Sequence, residues 1–574
     1  MIINRTNMKK IIYCILICAF YTLPLVAQIP IERVYISTDK DSYVAGEKIW
    51  MSGFCFKKEG GEITLSDISS LAYIEIFAVD KPVVTIKMAI NKGRGSAWAD
   101  LPFSLATGNY KLVAYTHFMQ NEDPLPYFEK TISIFNTISS ERLPNVAVGI
   151  NDSSYVQEIG TSDQKRESNL VISFSSSDVF STESNCEFSI SNTKLNPVSV
   201  SVSIFKSSPL PEYNNRDFKE FISTAFSNNG DNLSLKFIPE YEGEIIKGKI
   251  IPVNPSQKND ISGHSVFISF PGRNGELYSS KSGANGEVEF FTDNVYGQRE
   301  CVLEVVAKDT TQKYTVELMD PFLHPKITPA EKLILLPVYE KSLQERSIGM
   351  QLSRRYAADS LFTSSEPLHN PLFSDKKKRY MLDDYTRFPV MEEVIIEYVY
   401  ELKTRKTNNG AQLLVRWEND LNSNEYAREH TLALVDGIPV FDHKKILDLD
   451  PLKIKSLEIF GDKYFIGNLS YTGIASFNTY TSDYSGLKFD KSVRIIDFEG
   501  AKPYSVMNGK EFENIKYPDF RSTILWEPII NIPASSVKKQ LFRTSLIAGT
   551  YKIVVQGTTD TGEPLFAEKY FEVK

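Results

Sequence analysis

The sequence predicts a mostly-β protein built from tandem β-sandwiches, with one small α+β domain in its C-terminal half. Apolar and polar residues alternate with a period of two through most of the chain, which is the pattern of half-buried strands. The 29 tyrosines and 35 phenylalanines favour pleated sheets, and Gly, Asn, Asp and Pro separate the runs at short intervals. Stretches with helical periodicity are few. At roughly 100–150 residues per domain, 574 residues predict four or five domains.

Residues 1–27 have the composition of a secretory signal peptide. Basic residues at positions 5, 9 and 10 precede an apolar run at 11–20, and Leu25-Val26-Ala27 offers a cleavage site. A membrane anchor is the alternative, but a spanning helix needs about 20 apolar residues and this run is shorter. We therefore expect an exported protein, periplasmic or associated with the outer membrane of a bacterium.

The charge balance bears on the partners. The chain has 64 basic and 72 acidic residues, a formal net charge of −8, and the signal segment holds only basic ones. An acidic chain is poorly suited to nucleic acid or anionic lipid. No later apolar run is long enough to cross a bilayer as a helix. We expect no nucleic-acid partner and no transmembrane helix in the mature chain.

Three cysteines follow the signal segment, namely Cys55, Cys186 and Cys301, and each lies in a strand-like run. Three widely spaced cysteines do not make a disulfide framework. We expect buried thiols that pack as small apolar side chains. A Cys186–Cys301 bridge is the alternative.

Residues 28–137 form the first predicted sandwich. A strand ending in Thr38-Asp39-Lys40 is followed by Tyr43, Gly46-Glu47 and a strand that contains Trp50. Gly46 supplies a turn conformation that other residues resist, and Tyr43 and Trp50 are expected to plug the sandwich end. The pattern resembles the second macroglobulin-type domain of the alpha-2-macroglobulin superfamily.

A motif of the first segment recurs near the C-terminus. Gly108-Asn-Tyr110-Lys-Leu-Val has the spacing of Gly549-Thr-Tyr551-Lys-Ile-Val, and a final strand follows each copy. This internal repeat predicts a second macroglobulin-like sandwich at 486–574. Within this segment, Asp519-Phe-Arg-Ser-Thr-Ile-Leu-Trp526 resembles a strand of Bacteroidetes envelope proteins that combine a macroglobulin-type domain with a plug-like domain.

Two further sandwiches are predicted between these ends. Residues 138–240 indicate an immunoglobulin-like sandwich. Residues 241–320 contain glycine-kinked strands and Asn285-Gly286, a hairpin signal. This segment resembles the carboxypeptidase-regulatory-like β-sandwich, which carries no peptidase chemistry; Gly283 stands where that pattern has an Asp.

Residues 321–384 are predicted to be a connector, because prolines interrupt them repeatedly. A helix is expected within residues 339–361. A basic run, Lys376-Lys-Lys-Arg379, is expected to be a solvated loop, with an anionic contact as the alternative.

Residues 385–485 contain the most specific set of motifs. A Val-Asp-Gly-x-Pro strand and turn, a Pro-containing helix and strand, a Tyr-x-x-Gly turn and a Gly-Ile strand follow one another in this segment. This order of elements resembles the plug domain of TonB-dependent outer-membrane receptors. Pro451 suits a first helical turn, and Asp450 can cap it. The residues that carry this motif are Val435, Asp436, Gly437, Pro439, Pro451, Glu458, Gly467 and Gly473, and we expect them to be structural.

A transporter is not expected from this plug-like segment. Receptors of that class follow the plug with a 22-stranded barrel, which requires more than about 200 residues in its strands alone. Only residues 481–574 follow the segment. The sequence therefore predicts a plug-like domain without a barrel.

The sequence lacks the common motifs for metal binding, nucleotide binding and nucleophilic catalysis. The chain has 6 histidines, none within four residues of another, and no nucleotide-binding loop or nucleophile elbow. The Cys-Gly-Glu-Gln thioester of protease-trapping macroglobulins does not occur. Asp442-His443 follows the plug-like turn and is expected to be a polar loop. We expect no catalytic residue, metal or cofactor.

The leading hypothesis is a non-catalytic envelope protein that binds or scaffolds other proteins, with a TonB-dependent outer-membrane uptake system as its setting. Its partners would be envelope or outer-membrane proteins, and its oligomeric state is left open. The alternative is a thioester-less macroglobulin-like protease-binding protein, with the connector as its bait. A carbohydrate-binding or hydrolytic enzyme is the third hypothesis, because paired carboxylates cannot be recognised from sequence alone.

Overall fold

The structure is a computed structural model. It describes residues 29–574 apart from 150–169, 176, 214–217, 228–233, 257–259, 273–274, 294, 310, 357–361, 366–372, 374–376, 408–409, 417–425, 427–430 and 510–517. The predicted signal segment lies outside the described residues, and so does part of the basic run at 376–379. The prediction of a mostly-β protein is confirmed.

The first domain comprises nine strands in residues 31–135. They are β1 (Ile31–Thr38), β2 (Ser42–Val44), β3 (Lys48–Glu59), β4 (Glu62–Leu65), β5 (Leu71–Ala78), β6 (Lys81–Asn91), β7 (Arg94–Asp100), β8 (Gly108–Tyr115) and β9 (Phe128–Phe135). They form a sheet in the order β1-β3-β7-β6-β5-β8-β9-β2, with β4 beside β3. The two halves of this sheet meet at β6 and share one apolar core.

The remaining elements follow in chain order. After the first domain come β10 (Val146–Val148), β11 (Leu170–Phe174), β12 (Val179–Phe180), β13 (Asn185–Asn192), β14 (Val198–Lys206), α1 (Phe218–Ala225), β15 (Ile245–Pro252), β16 (Ser265–Phe270), β17 (Glu276–Lys281), β18 (Glu287–Phe291), β19 (Gln298–Val306), β20 (Tyr314–Leu318) and β21 (Leu333–Leu335). Next are α2 (Glu340–Arg355), β22 (Thr363–Ser364), β23 (Lys378–Met381), α3 (Met391–Tyr398), β24 (Leu402–Thr407), β25 (Gly410–Val415), β26 (Leu432–Val435), β27 (Ile438–Pro439), α4 (Lys444–Leu447), β28 (Ile454–Ile466) and β29 (Leu469–Thr479). The last strands are β30 (Arg494–Glu499), β31 (Ser505–Val506), β32 (Thr523–Ile532), β33 (Val537–Arg543), β34 (Gly549–Thr559) and β35 (Pro564–Val573).

The second domain is built from two distant parts of the chain. One sheet has the order β11-β13-β33 and the other has the order β12-β35-β34-β14-β32, and both line one core. Ser203 of β14, for example, lies opposite Trp526 on one side and Val554 on the other. The prediction of separate sandwiches at 138–240 and 486–574 is therefore wrong. Alternation identifies a strand and its buried face but not its partner strand.

The third domain has a sheet β18-β15-β20 and a sheet β17-β16-β19-β30 around one core. Strand β30 comes from residues beyond the predicted segment 241–320. Gly286 has the positive φ expected of a turn, +81°. That turn is not a hairpin, because it links β17 to β18 and these strands belong to different sheets.

The fourth domain is a small α+β unit. Its sheet has the order β23-β28-β29-β26-β27, and α3, α4 and the β24–β25 hairpin complete it. An apolar cluster with residues of both domains, such as Phe267 and Leu434, joins it to the third domain.

The internal repeat has a matching structure in the first and second domains. Strands β8 and β9 form an antiparallel hairpin, and so do β34 and β35. The hydroxyl of Tyr110 donates to the carbonyl of Ala106 at 2.7 Å, and that of Tyr551 donates to the carbonyl of Ile547 at 2.8 Å. Each buried tyrosine thus closes a corner onto the residue four positions upstream, as tyrosine corners do in β-sandwiches.

The helix expected within residues 339–361 is present as α2, which ends at Arg355. All three cysteines described are buried and free, so no Cys186–Cys301 bridge forms. Within the described ranges, no helix has both the length and the apolarity needed to span a membrane.

Candidate functional site

The N-terminal motif surrounds the buried carboxylate of Asp39. Its Oδ1 accepts hydrogen bonds from Tyr43 Oη at 2.7 Å and from the Trp50 amide at 3.2 Å. Its Oδ2 accepts from Lys40 Nζ at 2.8 Å and from Thr523 Oγ1 at 2.7 Å. Thr523 belongs to the C-terminal motif, so this carboxylate links the first and second domains. Both oxygens are fully satisfied, which compensates for the cost of burying the charge.

Tyr43 and Trp50 have different roles in this arrangement. Burial, and then the charge of Asp39, raise the pKa of Tyr43 well above its usual value, so the phenol remains a donor. Tyr43 belongs to the core of the first domain, as predicted. Trp50 does not belong to that core; it packs with Trp526 and Met507 at the junction of the first and second domains.

Helix α2 is fastened to the same motif. The guanidinium of Arg346 pairs with the carboxylate of Glu47. Arg354 donates to the Gly46 carbonyl at 3.1 and 3.2 Å and lies over the Phe103 ring, 4.4 Å from its centroid. Gly46 has φ +98°, and a Cβ atom there would overlap Phe103. The predicted turn glycine is thus required by both conformation and space.

The C-terminal motif holds its own buried ion pair. Arg521 donates to both oxygens of Asp519, at 2.8 Å through Nε and 2.7 Å through Nη2, and Nη1 donates to the Ile524 carbonyl at 3.1 Å. The two side chains are 6% and 2% exposed. This bidentate pair fixes the chain before β32 and positions Thr523 against Asp39.

An aromatic cluster lies beside this junction. Trp50 and Trp98 of the first domain and Trp526 of the second pack together with Met507. The connector adds Phe362, whose ring centroid lies 5.2 Å from that of Trp50 and 5.3 Å from that of Trp98. We call these five residues the junction cluster.

In the fourth domain, the Val435-Asp436-Gly437 motif forms a buried turn. Val435 is inaccessible, and Asp436 and Gly437 both have positive φ, +48° and +89°. The carboxylate of Asp436 accepts from the Thr479 amide at 2.8 Å, from Thr479 Oγ1 at 2.6 Å and from the Tyr484 amide at 2.7 Å. The aspartate therefore ties the turn after β26 to the end of β29.

The other motif residues of this domain are also placed within its framework. Pro439 is buried in β27, and Pro451 opens a short 3-10 helix whose first turn Asp450 caps through the Leu452 amide at 2.9 Å. The predicted cap is thus present. Glu458 is 9% exposed and accepts from Arg379 Nε at 2.5 Å.

The two remaining glycines of the motif also have positive φ. Gly467 (+57°) forms the turn between β28 and β29, where Ser279 of the third domain donates to the neighbouring Ile466 carbonyl at 2.7 Å. Gly473 (+86°) leaves room for Val415, which a Cβ atom would contact at 2.5 Å. None of these features places a motif residue in an open cleft.

His443 is a buried acceptor. Its Nδ1 accepts from the Leu413 amide at 2.9 Å, and burial lowers its pKa. The expectation of a polar loop at Asp442-His443 is wrong for the histidine, which packs inward at the start of α4.

A cavity of about 390 Å³ lies where the first and third domains meet, and no motif in the sequence predicts it. It is lined by Tyr73 and Lys87 of the first domain and by Glu244 of the third, among others. Lys87 Nζ donates to Glu244 at 2.7 and 2.8 Å. Behind Tyr73 lies Glu240, whose Oε1 accepts from the tyrosine hydroxyl at 2.8 Å. The sequence feature that could have indicated this site is Lys87, a lysine that lies between the apolar residues Ile86 and Met88 in β6.

Burial raises the pKa of Glu240 to about 7, although the hydrogen bonds from the Ile245 amide and the Tyr73 hydroxyl act to lower it. Its Oε2 finds no hydrogen-bond partner among the residues that the structure describes. Burial also raises the pKa of Glu244, against the lowering effect of Lys87. In the described part of the chain, no group of three or more His, Cys, Asp or Glu side chains could hold a metal ion.

Comparison with known proteins gives limited guidance. The chain matches no protein-family model, and no curated protein matches it. Among solved structures it is similar to Escherichia coli alpha-2-macroglobulin activated by porcine elastase, with 9% identity and a TM-score of 0.23 over 94% of this chain and 44% of that one. It is also similar to Salmonella alpha-2-macroglobulin reacted with methylamine, with 8% identity and a TM-score of 0.24 over 96% of this chain and 40% of that one. The chain thus spans less than half the length of these proteins. TM-scores this low do not establish a shared fold.

Proposed function

We propose that this chain is a non-catalytic binding or scaffold protein of a bacterial envelope. The observation that carries the proposal is that the aspartates of its most specific motifs are buried and serve a structural role. Asp39, Asp519 and Asp436 are all buried, and each accepts three or four hydrogen bonds inside or between domains. Carboxylates held in this way stabilise an assembly of domains and are poorly placed for acid–base chemistry. The most specific motifs therefore serve the assembly of the domains.

The setting we propose is the periplasm or the periplasmic face of the outer membrane, beside a TonB-dependent uptake system. The signal-like residues 1–27 support export. The resemblance of residues 385–485 to receptor plug domains supports the location beside a TonB-dependent uptake system. The partners would then be envelope or outer-membrane proteins.

Crosslinking in intact cells tests this proposal. A photo-crosslinking residue at Phe465, a 71% exposed position of the fourth domain, should capture a defined envelope protein. The same residue at Leu195, 88% exposed on the second domain, is the matched control for nonspecific capture. Repeated recovery of the chain alone from both positions would contradict the proposal.

A second candidate is a thioester-less macroglobulin-like protein that binds proteases. The path of the connector favours it. Helix α2 is fastened to the first domain through Arg346, whereas β23 belongs to the sheet of the fourth domain. The stretch between them crosses from one domain to another, so its cleavage could change how the domains are held.

Limited proteolysis of the full chain tests this second candidate. If it is correct, cleavage between α2 and β23 changes the small-angle scattering profile. The attacking protease then stays bound and loses activity on large substrates while retaining it on small ones. An unchanged profile together with an unrestrained protease would exclude it.

A further inference from the structure

The junction cluster is organised differently from a domain core. Trp50 and Trp526 are 3% and 1% exposed, but they come from different domains, and the ring that completes the cluster comes from the connector. Phe362 meets Trp50 edge-on at an interplanar angle of 88° and Trp98 at 65°. Edge-to-face contacts of this kind add to the free energy of apolar burial. The two domains thus form an aromatic cleft that a single phenylalanine fills.

The backbone around Phe362 is held by strand addition. Thr363 and Ser364 pair antiparallel with Val506 and Ser505 of β31, and the Ser365 amide donates to the Tyr504 carbonyl at 3.0 Å. Residues 363–365 are exposed, and Phe362 itself is half-buried. This short surface segment, residues 362–365, is here called the strap.

The cleft has polar groups suited to an incoming peptide. The ammonium of Lys48 lies 3.9 Å from the ring centroid of Trp98 and 5.5 Å from that of Phe362, so the cation faces any aromatic ring placed there. The indole N–H groups of Trp98 and Trp526 are buried and find no acceptor among the described residues. Buried donors of this kind are normally satisfied, and a peptide carbonyl can accept from them.

We propose that the junction of the first and second domains is a docking site for an extended peptide with an aromatic side chain, and that the strap occupies it in this structure. The partner adds a strand to β31 and packs its aromatic ring against Trp50 and Trp98. Main-chain hydrogen bonds along an exposed strand provide affinity, and the pocket for a side chain provides specificity. The strap is then an internal competitor, which must leave before a partner enters.

The test uses the full-length chain and a fluorescent peptide with the sequence of residues 359–366, Asp-Ser-Leu-Phe-Thr-Ser-Ser-Glu. Phe362→Ala should weaken the strap and open the cleft. A tethered competitor acts at an effective concentration of about 1 mM, so the variant should bind the peptide at least about tenfold more tightly than the original chain. A peptide with Ala in place of Phe should not bind.

Phe373→Ala is the matched control, because Phe373 lies in the same connector but packs on Phe460 and Tyr464 of the fourth domain. It should bind the peptide no better than the original chain. Phe362→Leu provides a second opened variant, of intermediate affinity, if Phe362→Ala does not fold. Equal peptide affinity for the Phe362 variants and the original chain, or equal affinity for the Phe and Ala peptides, would overturn the proposal. Neither result depends on the proposed envelope partners, which the crosslinking experiment tests separately.

Discussion

Replacement of Glu240 by Gln should remove a pH dependence from the joint between the first and third domains. Oε1 of Glu240 accepts from Tyr73 Oη and from the Ile245 amide, at 2.8 and 2.9 Å, and the residue is 1% exposed. The charged groups that face it are Glu244, which raises its pKa, and Lys87, which lowers it. Gln keeps the shape and the acceptor oxygen but cannot ionise.

The magnitude follows from the pKa of Glu240, which burial raises to about 7 from its ordinary value of 4.5. Between these two pH values the folded chain binds more protons than the unfolded one, so its stability falls as pH rises. This loss of stability is complete above about pH 7 and absent below about pH 4.5. A pKa shift of one unit corresponds to about 1.4 kcal/mol, so between pH 5 and pH 8 this group should destabilise the joint by about 2 kcal/mol.

Hydrogen exchange is the appropriate assay, because a chain of several domains need not unfold in one step. The amides of Ser70 and Ile245 both donate to Glu240, so their protection reports on the joint. In the original chain their protection should fall by about 2 kcal/mol from pH 5 to pH 8, after correction for intrinsic exchange. In Glu240→Gln the part of this fall that Glu240 causes should disappear, and only the contribution of Glu244, whose pKa burial also raises, should remain.

Glu242→Gln is the control, because it removes a charge two residues away at an exposed position. It should show the pH dependence of the original chain. The reasoning would be refuted if Glu240→Gln kept that pH dependence, or if it lowered protection at pH 8 relative to the original chain.

Three further predictions concern the junction and the connector. Asp39→Asn removes the nearer carboxylate from the buried Lys40, leaving only Glu47 at 3.9 Å, and should lower the unfolding free energy by about 3 kcal/mol. Asp67→Asn, in an exposed pair with a 72% exposed carboxylate, should cost under about 1 kcal/mol, and equal losses in urea unfolding would contradict this. Gly46→Ala should lower the unfolding free energy by about 2 kcal/mol or more. Gly60→Ala should lower it by about 1 kcal/mol, because Gly60 also has positive φ but has nothing within 4 Å of the new Cβ. Equal thermal midpoints would show that the Phe103 contact is relieved without cost. Cleavage between α2 and β23 should leave two fragments that co-elute in gel filtration and separate only in denaturant. The reason is that strands from both fragments pair in the second and third domains. Separation in native buffer would count against this topology.

The fold class could be predicted because it depends on local patterns. Alternation marked the strands, Gly46 marked a left-handed turn, and Asp450 marked a cap, since each of these follows from a few neighbouring residues. The pairing of β14 with β32 could not be predicted in this way. It joins residues more than 300 positions apart, and neither strand carries a signal for its partner.

The candidate site could likewise be predicted only in part. The Asp39 and Asp519 motifs can each be recognised in the sequence, but nothing in either motif indicates that Thr523 contacts Asp39. Trp50 was assigned to a sandwich end because an aromatic residue after such a turn usually packs locally. The buried carboxylate of Glu240 has no signal in the sequence, because the residues on either side of it are exposed or half-buried and its contacts with Tyr73 and the Ile245 amide form only in the fold.

The return of the chain to its second domain has a consequence for biogenesis. Strands β11 to β14 emerge early, but the strands that cover them emerge last. During synthesis or export, the edges of these early strands therefore remain unpaired while the third and fourth domains form. Unpaired edges of this kind invite aggregation, and non-local pairing slows folding. We expect the contiguous first domain to fold first, and the second domain to require a holding chaperone until β32–β35 arrive.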